Sequence, residues 1–585
     1  MFLKKSVRTI NGKTYSHYKI VESYRENGKI KHRILFPLGT LSDEQAEQLR
    51  LAMSAHSNPD IVVAKAAQII VTKHLEFLSV AVLHHVWQEW GFSQFFQEDS
   101  WVEPMIINRI EDPVSKYGLK EWMIRTILPA YLNMNPYTID PFKAYRELDR
   151  LYKRDAELQS FIFQQLQTRE IDTSDVFFYD ITSTYVTGNR CVLAALGYSR
   201  DHRPDCEQIV IALMITPEGY PFYWRVLEGN TQDITTIQGL IQDVKARFNV
   251  KECTMVFDRG MVSAENLAAM EGEEWQYVSA MDRDEILTAS FFDTAVPEPL
   301  MPEDYEQTLA MREFIPIDDD AFLYCRECKA DSRRAILMFD VARFNHERRA
   351  LNDKLAIFQQ WVADKNQSLR QAKKSRRQEV LEREIRNHLQ RKRIKKLVHV
   401  QVEPYSVETK TRQGKKRTVA TFQLTVAIDP DALAREQRLH GITCFITNVP
   451  NEHRPAPEII QWYRRKNKVE EAFQEIKTHL ELRPIYLTRD PRVIAHVTIC
   501  ILAYFLFNDI EQRLKKSGLK MSPESLFRLL AKCKVNRLSF GTSKFQLSLT
   551  QVSDSQREAL QAINCESVVD PKRVNQVLKK AENWL

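Results

Sequence analysis

Cysteine is sparse in this 585-residue chain, and so are long apolar runs. Nine scattered cysteines do not make a disulfide framework and suit a reducing compartment. The lone C-x-x-C, Cys325 and Cys328, has no second pair and no H-x-x-x-H at zinc-finger spacing. Two free thiols on a strand or turn are the preferred reading. No stretch reads as a membrane span; the longest apolar run, residues 497–507, fits a buried helix. The N-terminus, M-F-L-K-K-S-V-R-T-I, lacks the apolar core of a signal peptide, so a cytoplasmic protein with no membrane partner is expected. There is no internal repeat. What remains is an ordinary soluble composition, 44% apolar and 27% charged, long enough for several domains.

Charge is small in sum and uneven in place. The net is +6, yet residues 365–396 hold 13 Lys/Arg against 3 Glu. A concentrated basic segment on a near-neutral body suggests a polyanion partner; the alternative is a solvated helical arm.

Patterning divides the chain. Residues 1–55 read as short β-strands with an E-N-G-K turn, and 56–172 as helices broken by Pro129, Pro136 and Pro141. From Asp175 to 282 the pattern is strand, strand, strand, helix, strand, strand, an α/β layer. V-F-F-Y-D-I-T is expected to end on Asp180 and T-M-V-F-D-R-G on Asp258, at the C-terminal strand ends where open α/β sheets bind ligands. Residues 283–440 read as an insertion, β-rich at its flanks, with one long helix or a helical hairpin between. Residues 441–490 return to the core, and 491–585 read as a separate, mostly helical region.

The stretch from Gln461 to Arg483 is the most informative. As one continuous helix over 457–480, opened by Pro457, it sets Tyr463, Lys466, Glu470 and Lys477 at about 0°, 300°, 340° and 320°. Val469, Phe473, Ile476 and Leu480 form an adjacent apolar stripe. Glu471 and Glu475, at about 80° and 120°, point elsewhere, so helical phase favours Glu470. An amphipathic surface helix with i,i+4 charge pairs would share this pattern. Asp180 and Asp258 argue against so plain a reading. Three carboxylates from three elements can hold two Mg²⁺ ions about 3.5–4 Å apart for in-line attack at phosphorus by water or a 3′-hydroxyl. Lys466 and Lys477 would then grip backbone phosphates, and Tyr463 a phosphate or a displaced base. His202, Arg203 and Arg259 stand near the aspartates in sequence; DNA contact and plain surface polarity are both open for them.

These residues resemble the bacterial insertion-sequence DDE transposases with a Y-x2-R-x3-E-x6-K signature. Tyr463, Lys466, Glu470 and Lys477 stand at that spacing, with lysine for arginine at the second position, which keeps the charge but loses the planar fork. Y-D-I-T-S-T-Y (179–185), G-Y-S-R-D-H-R-P-D-C-E-Q-I-V (197–210), L-E-G-N-T-Q-D (227–233) and V-F-D-R-G-M-V-S (256–263) resemble the same group in the same order. The resemblance implies an RNase H-like core with an insertion between Asp258 and Glu470, which are 212 residues apart. It implies catalysis by Asp180, Asp258 and Glu470 with two Mg²⁺ ions, Mn²⁺ substituting. Cleavage at terminal inverted repeats, joining to target DNA and a homodimeric synaptic complex follow. A structure-specific nuclease on the same core, or a non-enzymatic DNA-binding derivative, are the alternatives.

Overall fold

The computed structural model describes residues 1–585 apart from 11–12, 56–57, 59–60, 97–100, 172–175, 189, 233–235, 249, 251–252, 318–321, 331–332, 411–414 and 542–544. The expectations at Asp175, Asp233 and Ile234 lie outside the described residues. Two compact units form: Met1–Glu147 with Asp509–Leu585, and Leu148–Asn508.

The first unit opens with an antiparallel meander, β1 (Phe2–Ile10), β2 (Lys13–Glu26) and β3 (Lys29–Thr40). Asn27 and Gly28, at φ 51° and 72°, make the tight turn between β2 and β3. The strands are longer than the sequence suggests, and a helix, Asp43–Ser54, follows where strands were expected. Ser42 and Gln45 cap it reciprocally, and Ala46 is buried. Within the expected helical region a strand, β4 (Ile70–Glu76), precedes the buried helix Leu78–Glu89.

The second unit is built on a nine-stranded sheet. β5 (Val176–Tyr185), β6 (Gln208–Ile215) and β7 (Pro221–Glu228) run antiparallel in sequence. β8 (Thr254–Val256) pairs parallel with β5, and β9 (Gln276–Ala280) parallel with β8. The order β7-β6-β5-β8-β9, with only β6 reversed, is an RNase H-like layer. β6 is buried along its whole length, as its unbroken apolar run requires. Helices Asp155–Thr168 and Thr236–Phe248 bring Phe163 and Phe248 onto Phe177 and Phe222. Helix Asn467–Lys477 packs on β5 and β6.

The insertion is not set apart from this sheet. Beyond β9 the sheet continues through strands on either side of the helical arm. β10 (Ile315–Pro316), β11 (Leu323–Ala330) and β12 (Arg333–Asp340) come before the arm, and the arm itself carries β13 (Val398–Lys410) and β14 (Lys416–Ile428). β15 (Ile442–Thr447) then pairs with both β9 and β12, closing the sheet. Cys325 and Cys328, three residues apart on β11, point to opposite faces, so they do not converge on one ligand. Helices Val341–Arg370 and Gln378–Lys392 form a hairpin, the second of the two readings. With β13 and β14 they enclose a core of their own around Phe358, Leu381, Ile385 and Leu424.

Helix Asp490–Ser517 contains an 18-residue window with mean hydropathy 1.9, long and apolar enough for a membrane span, contrary to expectation; 94% of that window is buried inside the protein. The C-terminal part of the first unit is less helical than expected. β16 (Lys534–Ser539) pairs with β17 (Phe545–Leu549) and with β4. Each of these strands buries few residues, so no strand periodicity shows until its distant partner is in place.

Candidate active site

Asp180 lies in mid-strand rather than at a strand end. β6 stays paired with β5 out to Tyr185, whereas the β8 ladder stops at Phe178 opposite Val256. Two residues further in that register, Asp180 faces Asp258. Adjacent strands are about 4.8 Å apart, so the two carboxylates rise side by side where the sheet opens. Asp258 caps the short helical turn Arg259–Met261, its Oδ1 accepting the Arg259 N–H at 2.9 Å. The same oxygen accepts the Tyr463 hydroxyl at 3.2 Å. The Tyr463 ring packs on Phe445, 4.8 Å between centroids. Burial, and then Asp258, push the Tyr463 hydroxyl pKa up.

The expected single helix is two, Ala456–Arg465 and Asn467–Lys477, meeting at Lys466. There the Val469 N–H reaches only three residues back, to the Lys466 carbonyl at 2.9 Å, a tight turn that interrupts the regular ladder. The Lys466 side chain is 4% exposed, and its Nζ lies 2.9 Å from Glu470 Oε1. Burial alone would lower its pKa; attraction from Asp180, Asp258 and Glu470 outweighs burial and raises it. The ammonium is thus buried beside Glu470 and feels the charge of Asp180 and Asp258. Burial pushes Asp180 up to about 6; Asp258 and Glu470 add repulsion and Lys466 opposes them. Glu470 itself is 57% exposed and paired to Lys466. Glu471 pairs with Lys468 at 3.5 Å, away from the cleft lining.

Lys477 is also buried. Its Nζ donates to Thr182 Oγ1 at 2.8 Å, the Ser183 carbonyl at 2.6 Å and Asp201 Oδ1 at 2.9 Å. Arg483 binds the same Asp201 oxygen. Burial alone would raise the Asp201 carboxyl; Lys477 and Arg483 hold it below its ordinary range. This cluster ties the loop after residue 198 to β5, beside Asp180.

The result is an open cleft of about 500 Å³ lined by Asp180, Asp258 and Glu470, with Arg200, Asp201, His202, Gln474, Lys477 and Arg483 among its other walls. His202 reaches it from an exposed position with φ 56°. Arg203 and Arg259 are not among its walls: Arg203 is clamped on Asp205 at 2.8–2.9 Å, and Arg259 lies 3.4 Å from Asp282. Arg200, Asp201 and Arg483 were not singled out from sequence. Their only signal was membership in the S-R-D-H-R and E-L-R-P stretches.

Carboxylate oxygens alone suit a hard divalent cation, and the burial that chiefly raises Asp180, with a smaller repulsion from Asp258 and Glu470, is a cost such an ion would relieve. Among the described residues no three His, Cys, Asp or Glu side chains are yet drawn together closely enough to hold a metal. The donors fit in kind, with Lys466 supplying a counter-charge beside Glu470.

Residues 3–60 match the family described as IS1634 family transposase, N-terminal domain. Residues 173–506 match the Transposase DDE domain. No curated protein matches. Among solved structures, the chain is similar to a piggyBac transposase synaptic complex with hairpin DNA. There the identity is 10% and the TM-score 0.34, covering 87% of this chain and 82% of that one. It is also similar to a Mos1 transposase paired-end complex with left transposon end, at 9% identity and TM-score 0.13, covering 40% and 78%. The carboxylate cleft lies within the longer match, which spans more than half of the sequence: the chain belongs to the insertion-sequence DDE transposases, metal-dependent enzymes of DNA transposition.

Proposed function

We propose that Asp180, Asp258 and Glu470 together hold two Mg²⁺ ions, with Mn²⁺ able to substitute, and cut and rejoin DNA at the terminal inverted repeats of the element that encodes this chain. The reading rests on one observation: three carboxylates from β5, the turn after β8 and the helix after Lys466 line one cleft, Asp180 buried deeply enough for its pKa to be pushed up to about 6. When bound, the ions supply activation of a water or 3′-hydroxyl and charge stabilisation at the leaving oxygen.

The chain's own residues do the rest. Tyr463 fixes the rotamer of Asp258 by donating to Oδ1. Lys466 keeps the acidic cluster neutralised before the cations arrive and is positioned to meet phosphate once they do. Lys477 and Arg483, through Asp201, anchor the loop that presents Arg200 and His202 to the cleft. Those two side chains are placed to contact the DNA backbone beside the scissile bond. The assembly is a homodimer pairing two ends, working in the cytoplasm.

Strand transfer separates this from a nuclease on the same core. With a duplex bearing a pre-cut 3′-hydroxyl end, a target plasmid and Mg²⁺, joined product is expected; hydrolysis alone would sink the transposase chemistry and leave the nuclease.

A further inference from the structure

The N-terminal sheet segregates charge by strand parity. Register and contacts define its two faces. On one lie Lys5, Tyr18, Glu22, Glu26, Lys31 and Arg33, together with helix Asp43–Ser54. Every strand acid is here, and so are the cations that answer them. Arg33 binds Glu22 at 2.6 Å, Lys31 binds Glu26, and Lys5 and Tyr18 bind Asp43 at 3.2 and 3.1 Å. The opposite face carries Lys4, Arg8, Tyr15, His17, Lys19 and Arg25 and no acid. Phe2 and His32 confirm the side, their rings 5.4 Å apart and His32 bonded to Ser23 at 3.1 Å. Among the described residues, Lys4, Arg8, Lys19 and Arg25 form no ion pair, and Phe2 and Tyr15 are 40% and 42% exposed.

The face also carries the buried Val21, the exposed Ile30 and Ile34 and two serines, Ser6 and Ser23, but its charged side chains are all cationic, which is costly to leave so on a protein that needs no anion. The opposite face of the same strands shows that paired charge was available. Three strands span about 10 Å between outer backbones, against about 12 Å for a DNA major groove. We infer that the Lys4/Arg8/Lys19/Arg25 face of β1–β3 docks on double-stranded DNA, its cations on phosphates and its rings and imidazoles toward the groove. The inference rests on the transposase reading for the choice of polyanion. It places end contact on residues 2–34 rather than on the helical region, 56–172.

The test uses the full chain and duplexes taken from the element's own termini, with a scrambled duplex beside them. Binding is measured by fluorescence anisotropy from 50 to 300 mM salt. The variant K4Q/R8Q/K19Q/R25Q is expected to lose at least tenfold in affinity, its log–log salt slope shallower by about 3–4, near 0.9 per phosphate contact. K5Q/K31Q/R33Q, on the paired face, is expected to change both little. Should the quadruple variant misfold by circular dichroism, R8Q and R25Q singly are each expected to flatten the slope by about 1. Slopes equal to wild type in either set would overturn the inference. So would a variant with altered self-association by sedimentation but unchanged DNA binding, which would assign the face to a second copy. If wild type neither binds nor cleaves these duplexes, the transposase reading fails instead; wild-type cleavage with an indifferent variant condemns only the sheet assignment.

Discussion

The two sheets of this chain solve opposite problems. In the core sheet β6 is buried on both faces, and beside the sheet the buried Asp201 carboxylate is answered by two cations, Lys477 and Arg483. In the N-terminal sheet nearly every side chain of β3 is exposed, and charge is cheap enough to be left unpaired on one face. The core therefore places a few groups with ångström accuracy for chemistry, while the N-terminal sheet spreads charge for contact. Losses in the core should be large and local; losses on the open sheet should be small, additive and sensitive to salt.

The hardest break is Asp258→Ala. Removing a carboxylate that the fold positions twice, through Arg259 N–H and Tyr463, should lower plasmid cleavage by on the order of 10³-fold. End binding in a mobility-shift assay should barely move, since Asp258, an anion, is not itself a contact to the DNA backbone. Undiminished cleavage would remove Asp258 from the metal site.

Lys477→Met tests whether buried charge is tolerated only in pairs. It strips one of two cations from Asp201, a carboxylate 3% exposed, and should cost about 3 kcal/mol in urea unfolding. Lys477→Met with Asp201→Leu should recover part of that, because the stranded charge leaves too. A double variant less stable than the single would show that the cluster stabilises the fold outright.

Much of the core was legible for the same reason it is sensitive. Apolar runs at 176–179 and 254–257 made Asp180 and Asp258 conspicuous, and helical phase separated Glu470 from Glu471. The break at Lys466 was not legible, because both half-helices carry ordinary helical sequence and no glycine or proline marks the joint. Nor was the placement of Asp180 in mid-strand, since where β8 stops pairing is a property of the sheet. The charge division of β1–β3 needed the register, without which odd and even positions cannot be assigned across strands. The β4–β16 pairing joins residues more than 450 positions apart and leaves no local trace.

The core's electrostatic deficit gives a pH test. Asp180 has a folded pKa of about 6, above its ordinary 3.8, so the folded state holds this proton more tightly than the unfolded chain. That contribution favours the fold at low pH and is lost as pH rises through about 6, a swing on the order of 3 kcal/mol. A divalent cation should offset the loss. Mg²⁺ is expected to raise the melting temperature clearly at pH 7.5 and little at pH 5, where protons compete for the carboxylate. Asp180→Asn should flatten this difference; a Mg²⁺ shift independent of pH in wild type would place the ion elsewhere.

The basic arm should give the smallest effect, and it refines the contrast between paired and unpaired charge. Its helices bury one stripe against β13 and β14 and turn the rest outward, so its cations are exposed like those of β1–β3. Unlike them, they share their surface with Glu379, Glu382 and Glu384, and Lys365 is already paired to Glu384. Such mixing lowers the local potential that phosphates would meet. Changing Lys373, Lys374, Arg376 and Arg377 to Gln is therefore expected to weaken duplex binding less than tenfold. The salt slope should flatten by about 1–2 rather than the 3–4 expected of the N-terminal face. Thermal stability should stay unchanged, because all four side chains are exposed. An arm variant that lost more affinity than the N-terminal one would mean that sheer charge density, not the absence of neighbouring acid, decides which surface holds DNA.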